Sequence, residues 1–149
     1  LAAATLAAGP AIIVSAGTAL TVDLAGRDGA LLGGTIGAGL GLAARALTAG
    51  AEKLPLVDLK GAVPLPALDT ESAIRSGVVL GAAGAIERLI EGLNAPAGTV
   101  VFLTGAEASL VSPHLRVPHR MHGGLGLLGV ALAIRRAPPG PGAGLGAST

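Results

Sequence analysis

The sequence predicts an α/β domain in which a mixed β-sheet is flanked by helices. Residues 12–35 contain three short runs of strand-forming residues, separated by a Gly17-Thr18 turn and an Asp28-Gly29 turn. Residues 37–51 and 71–93 carry apolar residues at helical spacing. A buried strand at residues 99–103 follows the second of these helices. A β-meander that continues into helices and a further strand is typical of an α/β fold.

The composition suits one domain with a substantial core, since the chain has 149 residues and is 51% hydrophobic. Ten basic and nine acidic residues are spread singly, which leaves no patch for nucleic acid. The absence of cysteine excludes disulfides and thiolate metal sites and fits a reducing, cytoplasmic compartment. Because the charges are scattered, we expect neither a nucleic acid nor a polyanion as partner.

A small membrane protein stays open as an alternative, because the mean hydropathy is +0.72 and the run 1–22 carries no charge. Gly9-Pro10 and Gly17 interrupt that run, and the chain has no Trp or Tyr for an interfacial belt. Much of the hydropathy comes from Ala and Gly, which allow close packing in an α/β domain. We therefore expect no membrane association.

The first half of the chain predicts a helix end, three strands and a helix. Residues 1–8 form the helix end, and Leu20, Val22 and Leu24 alternate with polar residues as in a half-buried strand. A Gly-Thr turn at a strand end can direct N–H groups and a hydroxyl at a phosphate, although an ordinary hairpin explains it equally well. Residues 37–51 follow as a helix, and prolines in residues 52–68 predict an extended connection.

The second half predicts the longest helix, a strand and a final helix. Asp69-Thr70 offers an N-cap for the helix at 71–93, and Gly77 with Gly81 predicts a flat strip that seats a neighbouring helix. The residues predicted on or near one apolar face of that helix are Ile74, Val78, Ala85, Leu89 and Leu93. Residues 99–103 form a strand that runs into Thr104-Gly105, residues 125–136 form a helix, and residues 138–149 form a disordered Pro/Gly tail.

Five motifs occur along the chain in a fixed order, on a strand and helix order typical of a ribonuclease H-like ATPase domain. Residues 15–23 match D-x-G-T-A-x-T-x-D except at the first position, and residues 33–40 match G-G-x-I-x-P-G-L with Ala38 for proline. Residues 53–55 resemble the motif K/R-L-P, and residues 70–77 resemble the motif T-x-x-A-I-x-S-G. Residues 104–106 resemble the motif T-G-G. The chain thus resembles the C-terminal half of a type III pantothenate kinase, in the superfamily of sugar kinases, actin and heat-shock chaperones.

The resemblance implies transfer of the γ-phosphoryl group of ATP to the primary hydroxyl of pantothenate, the first step of coenzyme A synthesis. It implies that Gly17 and Thr18 bind the ATP phosphates, that Gly105 lies beside the adenosine and that Thr70 binds pantothenate. Position 15 is the family's ligand for a monovalent cation, potassium or ammonium. ATP with Mg²⁺, a cytoplasmic location and a homodimer are the other expectations that come with the family.

The chain departs from the family's pattern in two ways. Ser15, Ala38 and Ala106 replace an aspartate, a proline and a glycine, and the neutral Ser15 hydroxyl supplies no charge for a cation. The family's D-x-G-N-T motif and its G-x-D-R motif, whose aspartate is the catalytic base, do not occur in the sequence. We therefore expect residues 1–137 to be a C-terminal kinase domain without its N-terminal domain, to hold no catalytic residue and to be inactive alone. A partial sequence of a longer protein, a truncated and decaying relative, and a non-catalytic regulatory or binding relative all fit this pattern.

Three histidines, His114, His119 and His122, lie in a proline-containing segment beyond Glu107. Their spacing matches no standard set of metal ligands. The sequence therefore predicts solvated loop histidines and no zinc site here.

Overall fold

The computed structural model describes residues 2–136, apart from the side chains at 130 and 133–136. Within these residues a five-stranded sheet carries helices on both faces. The helices are α1 Ala2–Ala7, α2 Leu40–Gly50, α3 Thr70–Gly92, α4 Ala108–Val111 and α5 Leu125–Arg136, with a 3₁₀ turn at Ser112–His114. The strands are β1 Ala11–Ala16, β2 Ala19–Ala25, β3 Leu31–Ala38, β4 Val100–Thr104 and β5 Arg120–Met121.

The strands lie in the order β3-β2-β1-β4-β5. β1 is antiparallel to β2, β2 is antiparallel to β3, and β4 is parallel to both β1 and β5. Because β1 and β4 run in the same direction, their carboxyl ends lie at one edge of the sheet. The β1–β2 turn and the loop after β4 therefore meet at that edge.

The two faces of the sheet bury different side chains. Val14, Val22 and Leu103 belong to the larger cluster, which also contains Leu40 of α2 and Ile86 of α3. The opposite face forms a smaller cluster of Ala2, Ala3, Ala11, Phe102 and Leu125, which brings α1 and α5 together. Residues alternate between these clusters along β1 and β4, as the two-residue period of a strand requires.

The predicted meander, the extended connection and the three long helices are present. In the hairpin before β3, the Asp28 side chain accepts a hydrogen bond from the Ala30 N–H at 3.0 Å, and Gly29 has a φ of 85°. The helix predicted from residue 37 begins at Leu40, because β3 continues through Ala38 in register with Ala19. Asp69 is the N-cap of α3, as predicted.

The buried face of α3 confirms most of the prediction, because Ile74 and Val78 are buried and Leu89 and Leu93 are partly buried against the larger cluster. Ser72, Ser76, Val79, Ala83 and Ile86 are buried at helical spacing, whereas Ala85 is exposed. Ser72 and Ser76 were missed because a pattern of apolar residues at helical spacing does not include serine.

The Gly77 and Gly81 strip was also wrongly predicted to seat a helix. Both glycines are exposed, and within the described chain a Cβ atom on either would meet no heavy atom within 4 Å beyond the local helix.

Three short elements and the histidine contacts were missed. α4, the 3₁₀ turn and β5 are too short for a periodic pattern to reveal them. His119 is half-buried and not a solvated loop residue, because its Nε2 bonds the Ser112 hydroxyl at 2.8 Å and its Nδ1 bonds the Val117 carbonyl at 2.9 Å. Within residues 2–136, no three His, Cys, Asp or Glu side chains are grouped so that they could hold a metal ion.

No helix within residues 2–136 combines the length and apolar character that a membrane crossing requires. The tail predicted at 138–149 lies outside the described residues.

Candidate functional site

The Gly17-Thr18 turn joins β1 to β2 at the carboxyl edge of the sheet. The Gly17 N–H donates to the Ala19 carbonyl at 3.1 Å and so closes the turn. Thr18 is exposed, and its hydroxyl makes no hydrogen bond within the described residues. The Thr18 side chain is therefore free for a ligand, whereas the N–H of Gly17 is used inside the turn.

The junction of β3 and α2 packs directly on this turn. The Gly39 N–H donates to the Thr18 carbonyl at 3.1 Å, and a Cβ atom on Gly39 would overlap the Gly17 carbonyl oxygen. Gly39 is also the N-cap of α2, but it has no side chain to cap the helix. Only glycine fits this close approach, which accounts for the glycine in the motif at 33–40.

Gly105 follows β4 and lies against the end of β1. Its φ is 102°, and a Cβ atom there would overlap the Ala16 backbone. The N–H of Glu107, two residues later, donates to the Ala16 carbonyl at 2.9 Å. The structure thus brings Gly17, Thr18 and Gly105 together at one edge of the sheet.

Glu107 links this loop to the start of α2. Its Oε2 accepts from the Leu40 N–H at 2.9 Å and its Oε1 from the Gly41 N–H at 3.0 Å. The carboxylate therefore supplies the helix cap that Gly39 lacks. The sequence draws attention to Glu107 only as a neighbour of the three histidines. No local pattern reveals its contact with α2, which lies more than sixty residues away in sequence.

Ser15 is half-buried near the end of β1 and is paired with Thr21 on β2 and Thr104 on β4. Paired residues point to the same face, so three hydroxyl side chains form a row across the sheet. Beside this row the Thr21 hydroxyl donates to Asp23 Oδ2 at 2.9 Å. The three hydroxyl groups of the row carry no charge. Asp23, the carboxylate of the same motif, already accepts a hydrogen bond from Thr21.

Thr70 is the exposed first residue of α3. Asp69 caps this helix, since its Oδ1 accepts from the Ser72 N–H at 2.9 Å. Hydrogen bonds from the Ser72 hydroxyl and the Ser72 N–H to the Asp69 carboxylate lower the pKa of Asp69.

The start of α3 is fastened to the extended connection. The Ser76 hydroxyl donates to the Pro64 carbonyl at 2.7 Å, and Arg75 Nε donates to the Asp58 carbonyl at 2.8 Å. Ser76 is the serine of the motif at 70–77, so that residue holds the segment before the helix. In the part of the chain that the structure describes, no hydrogen bond joins Thr70 to the Gly17-Thr18 turn.

An open apolar groove of about 960 Å³ lies between β3, α2 and α3. Ile36, Leu47, Gly77, Gly81 and Ala85 are among the residues that line it. The side chain of Ile36 is 82% exposed, and β3 is the edge strand of the sheet. We call this surface the β3–α3 groove.

A family model described as type III pantothenate kinase matches residues 1–92, which is more than half of the chain. The chain belongs to the type III pantothenate kinase family. A curated family member from Herminiimonas arsenicoxydans is 38% identical over 134 residues, covering 87% of this chain and 52% of that protein. One from Alkalilimnicola ehrlichii is 45% identical over 108 residues, covering 70% of this chain and 42% of that protein. The chain thus spans about half the length of the curated relatives it matches.

The fold is shared with a solved structure of a conserved Campylobacter jejuni protein assigned to the Baf family of transcriptional activators. The TM-score is 0.63 at 20% identity, over 89% of this chain and 61% of that one. At this identity the likeness concerns the fold alone.

Proposed function

We propose that residues 1–137 form the C-terminal domain of a type III pantothenate kinase, which transfers the γ-phosphoryl group of ATP to the primary hydroxyl of pantothenate. The names of the curated relatives support this reaction. We assign the domain to the ribonuclease H-like fold, which the order β3-β2-β1-β4-β5 and its mixed strand directions support. A cytoplasmic location belongs to the same proposal.

The observation that carries the proposal is the meeting of the Gly17-Thr18 turn with the Gly105 loop. Gly105 lies against Ala16, directly before the turn, so one ligand can contact both segments. In our proposal the free hydroxyl of Thr18 donates to the ATP phosphates. In the same proposal the adenosine lies beside Gly105, whose lack of a side chain allows the close contact with the Ala16 backbone.

Phosphoryl transfer depends on positioning and on neutralisation of phosphate charge. Mg²⁺ supplies that charge when it is bound with ATP. The Ser15 row would give a potassium or ammonium ion only neutral oxygens, so we propose that cation binding is weak in this chain. We assign no catalytic base to any residue of the sequence.

Thr70 contributes to the pantothenate site in this proposal, because it is exposed at the start of a helix that is held firmly in place. We further propose a homodimer that buries the β3–α3 groove. The exposed Ile36 and the bare Gly77 and Gly81 strip support this interface, since an apolar edge strand left in water favours association.

The test is a chimaera that joins the N-terminal half of the Herminiimonas arsenicoxydans relative to this chain. We expect ATP-dependent phosphorylation of pantothenate by the chimaera and none by the 149-residue chain alone. Thr18→Ala should lower the chimaera's rate, whereas Thr48→Ala on the exposed part of α2 should not. A folded chimaera that binds ATP without turnover would favour the non-catalytic alternative.

A further inference from the structure

We propose that Glu107 is a positioning residue that holds the Gly17-Thr18 turn and the Gly105 loop in a fixed relation. This inference rests on the proposed nucleotide site, because its consequence is that nucleotide affinity depends on the Glu107 carboxylate. Glu107 lies outside the five motifs, and none of the roles implied by the family resemblance falls on it.

The hydrogen bonds of Glu107 close a ring around the turn. Its N–H donates to the Ala16 carbonyl, which ties the Gly105 loop to the end of β1. Its carboxylate accepts from Leu40 and from the next residue at the start of α2. Gly39, directly before Leu40, donates to the Thr18 carbonyl. Each of the three segments at this edge is therefore hydrogen-bonded to both of the others.

The glycines around this ring leave room for the carboxylate. A Cβ atom on Gly41 would stand 2.8 Å from Glu107 Oε1, closer than real Cβ contacts come. Gly39 is needed for the contact with the turn, and Gly41 is needed for the contact with Glu107. Glycine at both position 39 and position 41 therefore allows the start of α2 to pack against the turn and against Glu107.

The carboxylate suits this place better than a neutral side chain would. Both oxygens accept from N–H groups at a helix N-terminus, where negative charge is favoured. Glutamine has one acceptor oxygen, so an amide at position 107 would place its NH₂ group against a second donor. Glu107→Gln therefore keeps the size of the side chain and breaks half of the bridge.

Hydrogen exchange of the 149-residue chain separates positioning from simple helix capping. In Glu107→Gln we expect the Leu40 and Gly41 amides to exchange faster, and the Gly17 and Gly39 amides to exchange about tenfold faster as well. Residues 79–86 of α3 should keep their protection. Glu91→Ala is the control, because Glu91 is exposed and pairs with Arg88 on the surface.

The positioning role is overturned if only the Leu40 and Gly41 amides change, since a cap would do the same. Glu107→Asp provides a second variant should Glu107→Gln unfold, because its shorter side chain keeps the charge but cannot reach both N–H groups. If Glu107→Asp leaves the Gly17 and Gly39 amides as protected as in the parent chain, the proposal is equally wrong.

Calorimetric titration with Mg·ATP tests the consequence for the ligand. We expect the dissociation constant of Glu107→Gln to be about tenfold larger than that of the parent chain, with Glu91→Ala unchanged. Equal affinities of the parent and Glu107→Gln would contradict the dependence on Glu107. Absence of binding by the parent chain would instead contradict the proposed nucleotide site, while the exchange data still decide the positioning role.

Discussion

Gly39 lies directly against the carbonyl oxygen of Gly17, so a Cβ atom on Gly39 would overlap that oxygen. The Gly39 N–H also donates to the carbonyl of Thr18, the next residue of the turn. The two glycine-containing motifs at 15–23 and 33–40 therefore form one packed unit. Neither can move at this edge of the sheet without the other.

Gly39→Ala should destabilise the chain by about 1–3 kcal/mol, because the added methyl group overlaps backbone that cannot rotate away. Gly84→Ala is the matched control. Gly84 is exposed in the middle of α3, and among the described residues no atom beyond the local helix lies within 4 Å of a Cβ atom built there. The same change at Gly84 should therefore stabilise the chain by up to about 1 kcal/mol. Urea unfolding followed by circular dichroism measures both. Equal stability of Gly39→Ala and the parent would show that the junction is not tightly packed.

The Asp69 cap should make stability depend on pH at the acid end. Its hydrogen bonds with Ser72 lower its pKa in the folded chain from the ordinary value of 3.8. The stabilisation is therefore complete above that ordinary value and is lost as the pH falls through the lowered one. Asp69→Asn keeps an acceptor for the cap but does not titrate.

The stability difference between the parent chain and Asp69→Asn should therefore stay constant at neutral pH and shrink in acid. Thermal unfolding over a pH series measures this difference. A difference that grows as the pH falls would have the wrong sign for this cap.

The meander, the three long helices and the N-cap at Asp69 could be predicted from the sequence, because each is indicated by the residue pattern of its own segment. The hydroxyl row of Ser15, Thr21 and Thr104 could not be foreseen, since it depends on how strands distant in sequence pair. Two buried positions of α3 were missed because serine occupies them, and Ala85 was placed on the buried face although it is exposed. Glu107 was missed as a bridge because its partners lie on another element.

Ile36→Lys should weaken self-association if a second copy covers the β3–α3 groove. A lysine at the centre of an apolar edge strand places a charge where the partner would pack. Leu127→Lys on α5 is the control, because Leu127 is 80% exposed and does not line the groove. Light scattering after size exclusion should give a dimer for the parent and for Leu127→Lys, and a monomer for Ile36→Lys. A dimeric Ile36→Lys variant would place the interface elsewhere.

Ser15→Asp should make nucleotide affinity rise with potassium concentration. The carboxylate would add a charged oxygen to the row of Ser15, Thr21 and Thr104, which hard monovalent cations favour over hydroxyls alone. Ser15→Asn introduces a side chain of the same size as aspartate but without its charge, so this variant should behave like the parent chain. The measurement is the Mg·ATP dissociation constant in potassium and in a bulky organic cation at equal ionic strength. No potassium dependence in Ser15→Asp would remove the cation role from this position.

The most direct test of the nucleotide site is a two-dimensional ¹H–¹⁵N spectrum of the 149-residue chain titrated with Mg·ATP, pyrophosphate and adenosine separately. Pyrophosphate should shift the Gly17 and Thr18 amides, adenosine should shift the Gly105 amide, and Mg·ATP should shift all three. Amides of the β3–α3 groove and of α5 should stay in place. Shifts by Mg·ATP that leave Gly17, Thr18 and Gly105 unmoved would contradict the nucleotide site at this edge of the sheet.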